Sequence, residues 1–140
     1  MPNNSKTIVP TQTHPDDSTV QTHTGDKFQA DGFYGRADGF HTVQLNLNNF
    51  SGDISVQGTL AIDPTEEDWF NVVLETNTAV SGTVDTTGAI SVGSSISLSS
   101  ISYSTATANT NYNFTGNYVW VRAAVTNWTT GTIDSIMMNY

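Results

Sequence analysis

Cysteine is absent from this chain, and positively charged residues are scarce. Without cysteine there is no disulfide framework, no thiolate metal site and no cysteine nucleophile. Only 4 Lys and Arg residues stand against 13 Asp and Glu residues, which gives a net charge of −9. Because this balance repels phosphate backbones, we expect no nucleic-acid partner. The chain also lacks a long apolar run and the features of a signal peptide, so we expect no membrane partner and no secretion.

The first 30 residues are almost purely polar. Apart from Met1, their only large apolar side chains are Ile8, Val9, Val20 and Phe28. Such a segment buries too little apolar surface to offset the entropy of ordering it. We therefore predict an extended polar N-terminal arm over residues 1–30, held by contacts outside its own chain and anchored through these four side chains. Residues 31–140 form the predicted folded domain.

Apolar and polar residues alternate after residue 40, which is typical of half-buried strands. Val43, Leu45 and Leu47 share one predicted face. The Asn, Gly and Asp residues of segment 48–53 predict a hairpin turn before the next strand. The next strand is predicted at 54–62, with Ile54, Val56, Leu60 and Ile62 on one face and Gly58 at a bulge or a close approach. Further strands are predicted at 69–76, 112–126 and 132–138, with turns near 85–88, 93–95 and 129–131. Seven or eight short strands without helices between them predict an all-β fold, an antiparallel β-sandwich that is jelly-roll-like.

Residues 63–68 contain the densest run of carboxylates. Asp63 is a suitable N-cap and Pro64 suits a first helical position, so we predict a single helical turn. Hard cations bind oxygen ligands from closely spaced loops, which makes a calcium ion one alternative for this turn. The run lacks the spacing of an EF-hand, and a solvated, capped turn is favoured. We expect no metal and no cofactor.

Catalytic signatures are weak in this sequence. The three histidines, His14, His23 and His41, are not spaced as metal ligands, and no Gly-x-Ser-x-Gly elbow occurs. The carboxylates of residues 63–68 are neighbours on one turn, so they cannot straddle a sugar as a glycosidase pair does. We therefore predict no catalytic residue, and an esterase or glycosidase is the least favoured function.

The segment from Phe114 to Trp128 carries the main candidate contact residues. Period-two alternation places Val119, Val121, Ala123 and Val125 on one face, and Tyr118, Trp120 and Arg122 on the other. Tyr, Trp and Arg are enriched at protein interfaces, and flat aromatic rings stack on sugars. The second face is therefore a candidate for subunit or glycan contact. The alternative is a strand covered on both faces, with Trp120 in the core and Arg122 paired with an acid such as Asp134.

Several short strings after residue 30 share a pattern with a known class of proteins. They are DGFYGR at 31–36, GFHTV at 39–43, NFSGDI at 49–54, GTLA at 58–61, PTEEDWF at 64–70, FTGNYVWVRA at 114–123 and TGTIDSI at 130–136. In this order they resemble virion structural proteins of tailed bacteriophages, notably phages of marine cyanobacteria. Those proteins are similar to β-sandwich modules of capsid decoration, neck and tail fibres.

The resemblance implies a non-enzymatic structural protein that is made in the host cytoplasm and located in the virion. Our first expectation is a capsid decoration subunit of the cement type, which stabilises or decorates the particle. It would attach to other virion proteins through the N-terminal arm and form a homo-oligomer. The alternative is a glycan-binding module of the neck or tail fibres, which contacts the host surface through Tyr118, Trp120 and Arg122.

Overall fold

The computed structural model describes residues 5–36, 39–76, 82–84, 90–92 and 97–139. Within these residues, one turn of 3-10 helix, Glu66–Asp68, is the only helical element, and the other elements are strands. The strands are β1 (Ser5–Val9), β2 (Gln12–Thr13), β3 (Gln21–Thr24), β4 (Phe28–Gln29), β5 (Phe40–Thr59), β6 (Phe70–Asn71), β7 (Leu74–Thr76), β8 (Gly82–Val84), β9 (Ile90–Val92), β10 (Ser97–Leu98), β11 (Ile101–Thr115) and β12 (Trp120–Asn139). The predicted turns near 85–88 and 93–95 lie outside the described residues.

All pairings between the described strands are antiparallel. A 10-stranded sheet has the order β1-β12-β5-β11-β7-β10, with β2, β3 and β4 also paired to β12 and β6 paired to β5. Strands β8 and β9 form a separate pair. The predicted all-β antiparallel class is thus confirmed, and the jelly-roll-like sandwich stays a prediction. Among the described residues, no helix has the length and apolar character to cross a lipid bilayer.

Residues 5–29 form the outer strand of this sheet. The pairing of β1 with β12 begins at Ser5↔Asn139, and the pairing of β4 with β12 ends near Phe28↔Val121. The four short strands therefore run antiparallel along the length of β12. The prediction of a separate extended arm is wrong for these residues. Their side chains bury little apolar surface, but their backbone groups form hydrogen bonds with the edge of β12, and this pairing orders them.

Three of the four predicted anchors of the arm fix this segment to its own domain. Ile8 and Val9 are 1% and 0% exposed and belong to the hydrophobic core, and Phe28 is half-buried against it. Val20 is 60% exposed, so it anchors nothing in the described structure. The N-terminal segment is therefore a structural part of the domain that was predicted to begin at residue 31.

Bends inside the long strands replace two of the predicted turns. β5 and β12 each continue for 20 residues through the expected turns at 48–53 and 129–131. Asn49, Thr105 and Asn127 have φ values of 52°, 47° and 52°, and shifts in strand register lie close to them. A left-handed residue bends a strand without ending it, which explains why the pairing continues.

Gly131 completes the bend in β12. Its φ is 93°, and a Cβ atom placed there would lie 2.1 Å from the backbone oxygen of Asn49 in the neighbouring strand. Only glycine combines this backbone conformation with this close approach. The connection between two strands comes earlier, at residues 116–119, which link β11 to β12.

One hydrophobic core collects residues from both ends of the long strands. In β5 the buried positions Val43, Leu45 and Leu47 are followed by Phe50, because the bend at Asn49 shifts the alternation. The core also joins the two ends of the outer strand: a Cβ atom at Gly25 would lie 3.2 Å from Val9 Cγ2.

Candidate functional site

Arg122 is a buried anchor of the segment that links β5 to β6. Its Nη1 and Nη2 atoms donate hydrogen bonds to the two carboxylate oxygens of Glu66, at 3.2 and 3.0 Å. Its Nε donates to Gln57 Oε1 at 2.8 Å, and the guanidinium lies 4.2 Å from the ring centroid of Trp69. The predicted pairing of Arg122 with an acid is therefore present, but the acid is Glu66 and not Asp134.

The helical turn at Glu66–Asp68 presents the carboxylate to Arg122. The turn follows Thr65, whose backbone nitrogen donates to Asp68 Oδ2 at 2.7 Å. A single turn was predicted at 63–68, with the N-cap at Asp63; in the structure the N-cap is Thr65. The hydrogen bonds and the positive charge of Arg122 hold the pKa of Glu66 below its ordinary value.

Trp120 connects three separate segments at its end of β12. Its indole Nε1 donates a hydrogen bond to the backbone oxygen of Ile62 at 2.9 Å. Lys27 Nζ lies 4.4 Å from the centroid of the Trp120 ring, and the ring of Phe33 lies 5.1 Å away. The indole is half-buried. Trp120 therefore fixes the positions of its neighbours, and part of its own side chain remains exposed to solvent.

The DGFYGR string forms a loop that exposes two aromatic rings. Asp31 is buried, and its carboxylate accepts a hydrogen bond from the backbone nitrogen of Gly39 at 2.8 Å and pairs with Arg36 at 3.0 Å. These contacts close the base of the loop. Phe33 and Tyr34, near its tip, are each 44% exposed. The Arg36 guanidinium lies 4.8 Å from the centroid of the Tyr34 ring and supports it from within the loop.

Tyr118 supports this region from below. It is half-buried, its hydroxyl donates to the backbone oxygen of Thr115 at 3.1 Å, and its ring lies 5.6 Å from that of Phe70. Burial raises the pKa of the Tyr118 hydroxyl. A Cβ atom at Gly58 would lie 2.9 Å from the Tyr118 ring, which confirms the predicted close approach at that glycine. Of the three predicted contact residues, Tyr118 and Trp120 are half-buried and Arg122 is buried.

The exposed apolar side chains around Trp120 form a surface that we call the aromatic end. It consists of Phe33, Tyr34, Leu60 and Ile62, with the half-buried Trp69 and Trp120 between them. Leu60 and Ile62 are 66% and 77% exposed. The sequence pattern had placed both on the buried face of a strand. The strand ends at Thr59, before both residues.

All 4 cations of the chain lie against aromatic rings at or beside the aromatic end. Lys6 lies over Phe28, 5.7 Å from the ring centroid, and Phe28 is paired with the residue that follows Trp120. Burial, followed by the charge of Arg36, lowers the pKa of Lys6. A protein with a net charge of −9 has therefore concentrated its positive charge in one region.

The histidines lie at separate places in the fold, His14 between β2 and β3, His23 on β3 and His41 on β5. His14 is buried, its Nδ1 accepts from the backbone nitrogen of Asp16 at 3.0 Å, and its Nε2 donates to the backbone oxygen of Thr19 at 2.9 Å. His41 is also buried and stacks on Phe114 with ring centroids 4.8 Å apart. His23 lies on β3. Within the described ranges, no group of three or more His, Cys, Asp or Glu side chains is arranged to hold a metal ion.

We compared the chain with known protein families, curated proteins and solved structures. Neither a family model, nor a curated protein, nor a solved structure matches the chain. The resemblance to phage virion proteins therefore remains a prediction from short sequence strings.

Proposed function

We propose that this chain is a non-enzymatic structural subunit of a phage virion, of the capsid decoration type, which contacts its neighbour in the particle through the aromatic end. The observation that carries the proposal is the exposure of Leu60 and Ile62, at 66% and 77%, on a segment that is fixed in place. An exposed apolar surface on a rigid support is typical of a protein interaction site.

The rigidity of this surface comes from two contacts with β12. Trp120 Nε1 holds the backbone oxygen of Ile62, and Arg122 holds Glu66 four residues further along the segment. A surface that is ordered before binding loses little conformational entropy when a partner covers it. The aromatic end therefore suits repeated attachment in an assembly.

Attachment through the N-terminal arm is no longer the favoured route. The backbone of residues 5–29 is paired with β12, and Ile8 and Val9 lie in the core. Releasing this segment to bind a partner would expose both side chains and the edge of β12. We therefore assign the contact with the neighbouring subunit to the aromatic end.

We also propose that the sheet is folded into a sandwich. Strands β5, β11 and β12 each bend at a residue of positive φ, namely Asn49, Thr105 and Asn127. The approach of Gly25 to Val9 and the single core support a fold in which the two halves of the sheet face each other. This shape would place the aromatic end at one end of the sandwich.

The composition of the later strands also supports a role in an assembly. Between Asp85 and Asp134 the only charged residue is Arg122, and Ser, Thr and Asn predominate instead. Free proteins usually carry a richly charged surface, which favours solubility. A surface that is poor in charge is suited to close packing against other subunits.

Particles assembled with variant subunits test the proposed function. In a phage that encodes this chain, Ile62→Asp should lower the number of copies per purified particle at least tenfold, measured by quantitative mass spectrometry. Val20→Asp is the matched control, since Val20 is 60% exposed and lies outside the aromatic end. A normal copy number for the Ile62→Asp subunit, or the absence of the wild-type protein from particles, contradicts the proposal.

Glycan binding is a second candidate, favoured by the rings of Phe33 and Tyr34. Both are 44% exposed on a loop that Asp31 closes, and flat rings of this kind stack on sugar faces. A glycan array, followed by titration of the indole fluorescence, tests this function. Binding that Tyr34→Ala abolishes supports it, and the absence of binding to any host polysaccharide contradicts it.

A further inference from the structure

We infer that the neighbour at the aromatic end is a second copy of this chain, related to the first by a two-fold axis. This inference rests on the proposed function, because it names the partner of the same surface. Two features carry it: both signs of charge lie unpaired on this surface, and every cation of the chain lies at or beside it.

The unpaired charges are Lys27 and, in the acidic turn of residues 63–68, the carboxylates of Asp63 and Glu67. Within the described residues Lys27 forms no ion pair; its Nζ lies over the Trp120 ring, whose indole holds Ile62. Asp63 follows Ile62 directly, so Lys27 and this acidic turn lie on neighbouring parts of one surface. Among the carboxylates of the turn, only Glu66 forms an ion pair in the described structure. The side chains of Asp63 and Glu67 are exposed and available to a partner, whereas the carboxylate of Asp68 accepts hydrogen bonds from Thr65.

A two-fold axis brings such a surface against itself in the favourable way. In an isologous contact, residue i of one copy contacts residue j of the other copy. The two-fold axis then generates the same contact a second time, with the two copies exchanged. Lys27 of each copy would then face the acidic turn of the other, while Leu60 and Ile62 are covered between them. The two ion pairs fix the orientation, and the covered apolar side chains supply most of the affinity.

The remaining surface argues against another mode of self-association. The chain carries 13 acidic residues and its 4 cations lie at or beside the aromatic end. Two copies that met through the faces that carry the remaining carboxylates would bring these carboxylates together with no cation between them. Like charges placed opposite each other disfavour such encounters.

Sedimentation velocity tests the inference with single variants. The wild-type chain should sediment as a dimer and Ile62→Asp as a monomer, while Val20→Asp should remain dimeric. Lys27→Glu should weaken the dimer at least tenfold, and so should a second chain that carries Asp63→Lys with Glu67→Lys. These charged positions are exposed, so circular dichroism should show that both variants keep the wild-type fold.

Mixing the two charge variants provides the decisive result. A mixture should form mixed dimers at close to the wild-type affinity. In such a dimer, one of the two contacts between residue 27 and the turn has an ion pair of reversed sign, and the other contact keeps the native pair. A wild-type chain that stays monomeric up to about 100 µM overturns the inference, as does a mixture that fails to associate.

If the chain is monomeric while Ile62→Asp still lowers incorporation into particles, the inference fails and the proposed function stands. If Ile62→Asp breaks the dimer without lowering incorporation, the proposed function fails.

Discussion

The guanidinium of Arg122 donates two hydrogen bonds to the carboxylate of Glu66, although the Arg122 side chain is 10% exposed and that of Glu66 is 84% exposed. A buried cation thus depends on a carboxylate carried by a short exposed segment. Neighbouring contacts with Gln57 and Trp69 extend this arrangement. The same pair connects the interior of the sheet with the aromatic end.

Substitution of Glu66 should therefore destabilise the protein in a pH-dependent way. Glu66→Gln should lower the melting temperature at pH 7, because Arg122 loses its counterion, whereas Glu67→Gln should have little effect. Arg122 lowers the pKa of Glu66 in the folded state, so its contribution is complete above the ordinary value of 4.5 and is lost as the pH falls through the lowered pKa. Thermal unfolding of the three proteins between pH 7 and pH 2 measures this, and a constant difference across that range contradicts it.

Two glycines of positive φ should respond differently to the same substitution. Gly131→Ala should reduce the free energy of unfolding by roughly 3 kcal/mol or more, because strain in φ is combined with a clash against Asn49. Gly35→Ala should cost only about 1 kcal/mol, since Gly35 has a φ of 69° and no atom within 4 Å of an added Cβ. Urea unfolding measures both, and equal losses would show that the contact with Asn49 is unimportant.

The first strand should behave as part of the core. Ile8→Ala should lower the free energy of unfolding by about 2–5 kcal/mol, because Ile8 is 1% exposed. Val20→Ala, at a position predicted from the sequence to be an equivalent anchor, should change it by no more than about 0.5 kcal/mol. Urea unfolding of both variants is the measurement. A domain that keeps its stability after Ile8→Ala would restore the interpretation of these residues as a separate arm.

His41 should be replaceable by an apolar ring of similar size. Its Nδ1 donates to the backbone oxygen of Asn139 at 3.2 Å, while its buried Nε2 has no hydrogen-bond partner in the described part of the chain. His41→Phe removes both a weak bond and an unpaired polar atom, so the free energy of unfolding should change by less than about 1 kcal/mol. His41→Ala should lower it by about 2–4 kcal/mol through the cavity beside Phe114. The two free energies of unfolding check this; a loss after His41→Phe as large as that of His41→Ala would mean that the ring nitrogens are essential.

The sequence predicts the strands well because alternation is a local property. It fails at the bends, since a residue that tolerates positive φ suits a hairpin turn and a bend inside a strand equally. Asn49 and Gly131 satisfy both descriptions. Which one applies depends on the neighbouring strand, and that strand is distant in the sequence.

The N-terminal segment and the aromatic end were missed for a related reason. The composition of residues 1–30 indicates how much apolar surface their side chains can bury. Pairing with β12 depends instead on backbone N–H and C=O groups, and every residue except proline carries both. At the aromatic end, an acidic partner for Arg122 could be foreseen, while the choice of Glu66 over Asp134 depends on tertiary packing. The alternation through Leu60 and Ile62 continues past the true end of β5 and misplaces both residues.

The central position of β12 also determines when the protein can assemble during its synthesis. Residues 5–29 pair with residues 120–139, so the first of these segments to be synthesised waits for the second. Contacts that are this distant in sequence form slowly, and a nascent chain leaves its strand edges exposed meanwhile. A ribosome that stalls before Trp120 would therefore release a product unable to close its sheet. The polar character of the first residues keeps that waiting segment soluble until its partner strand emerges.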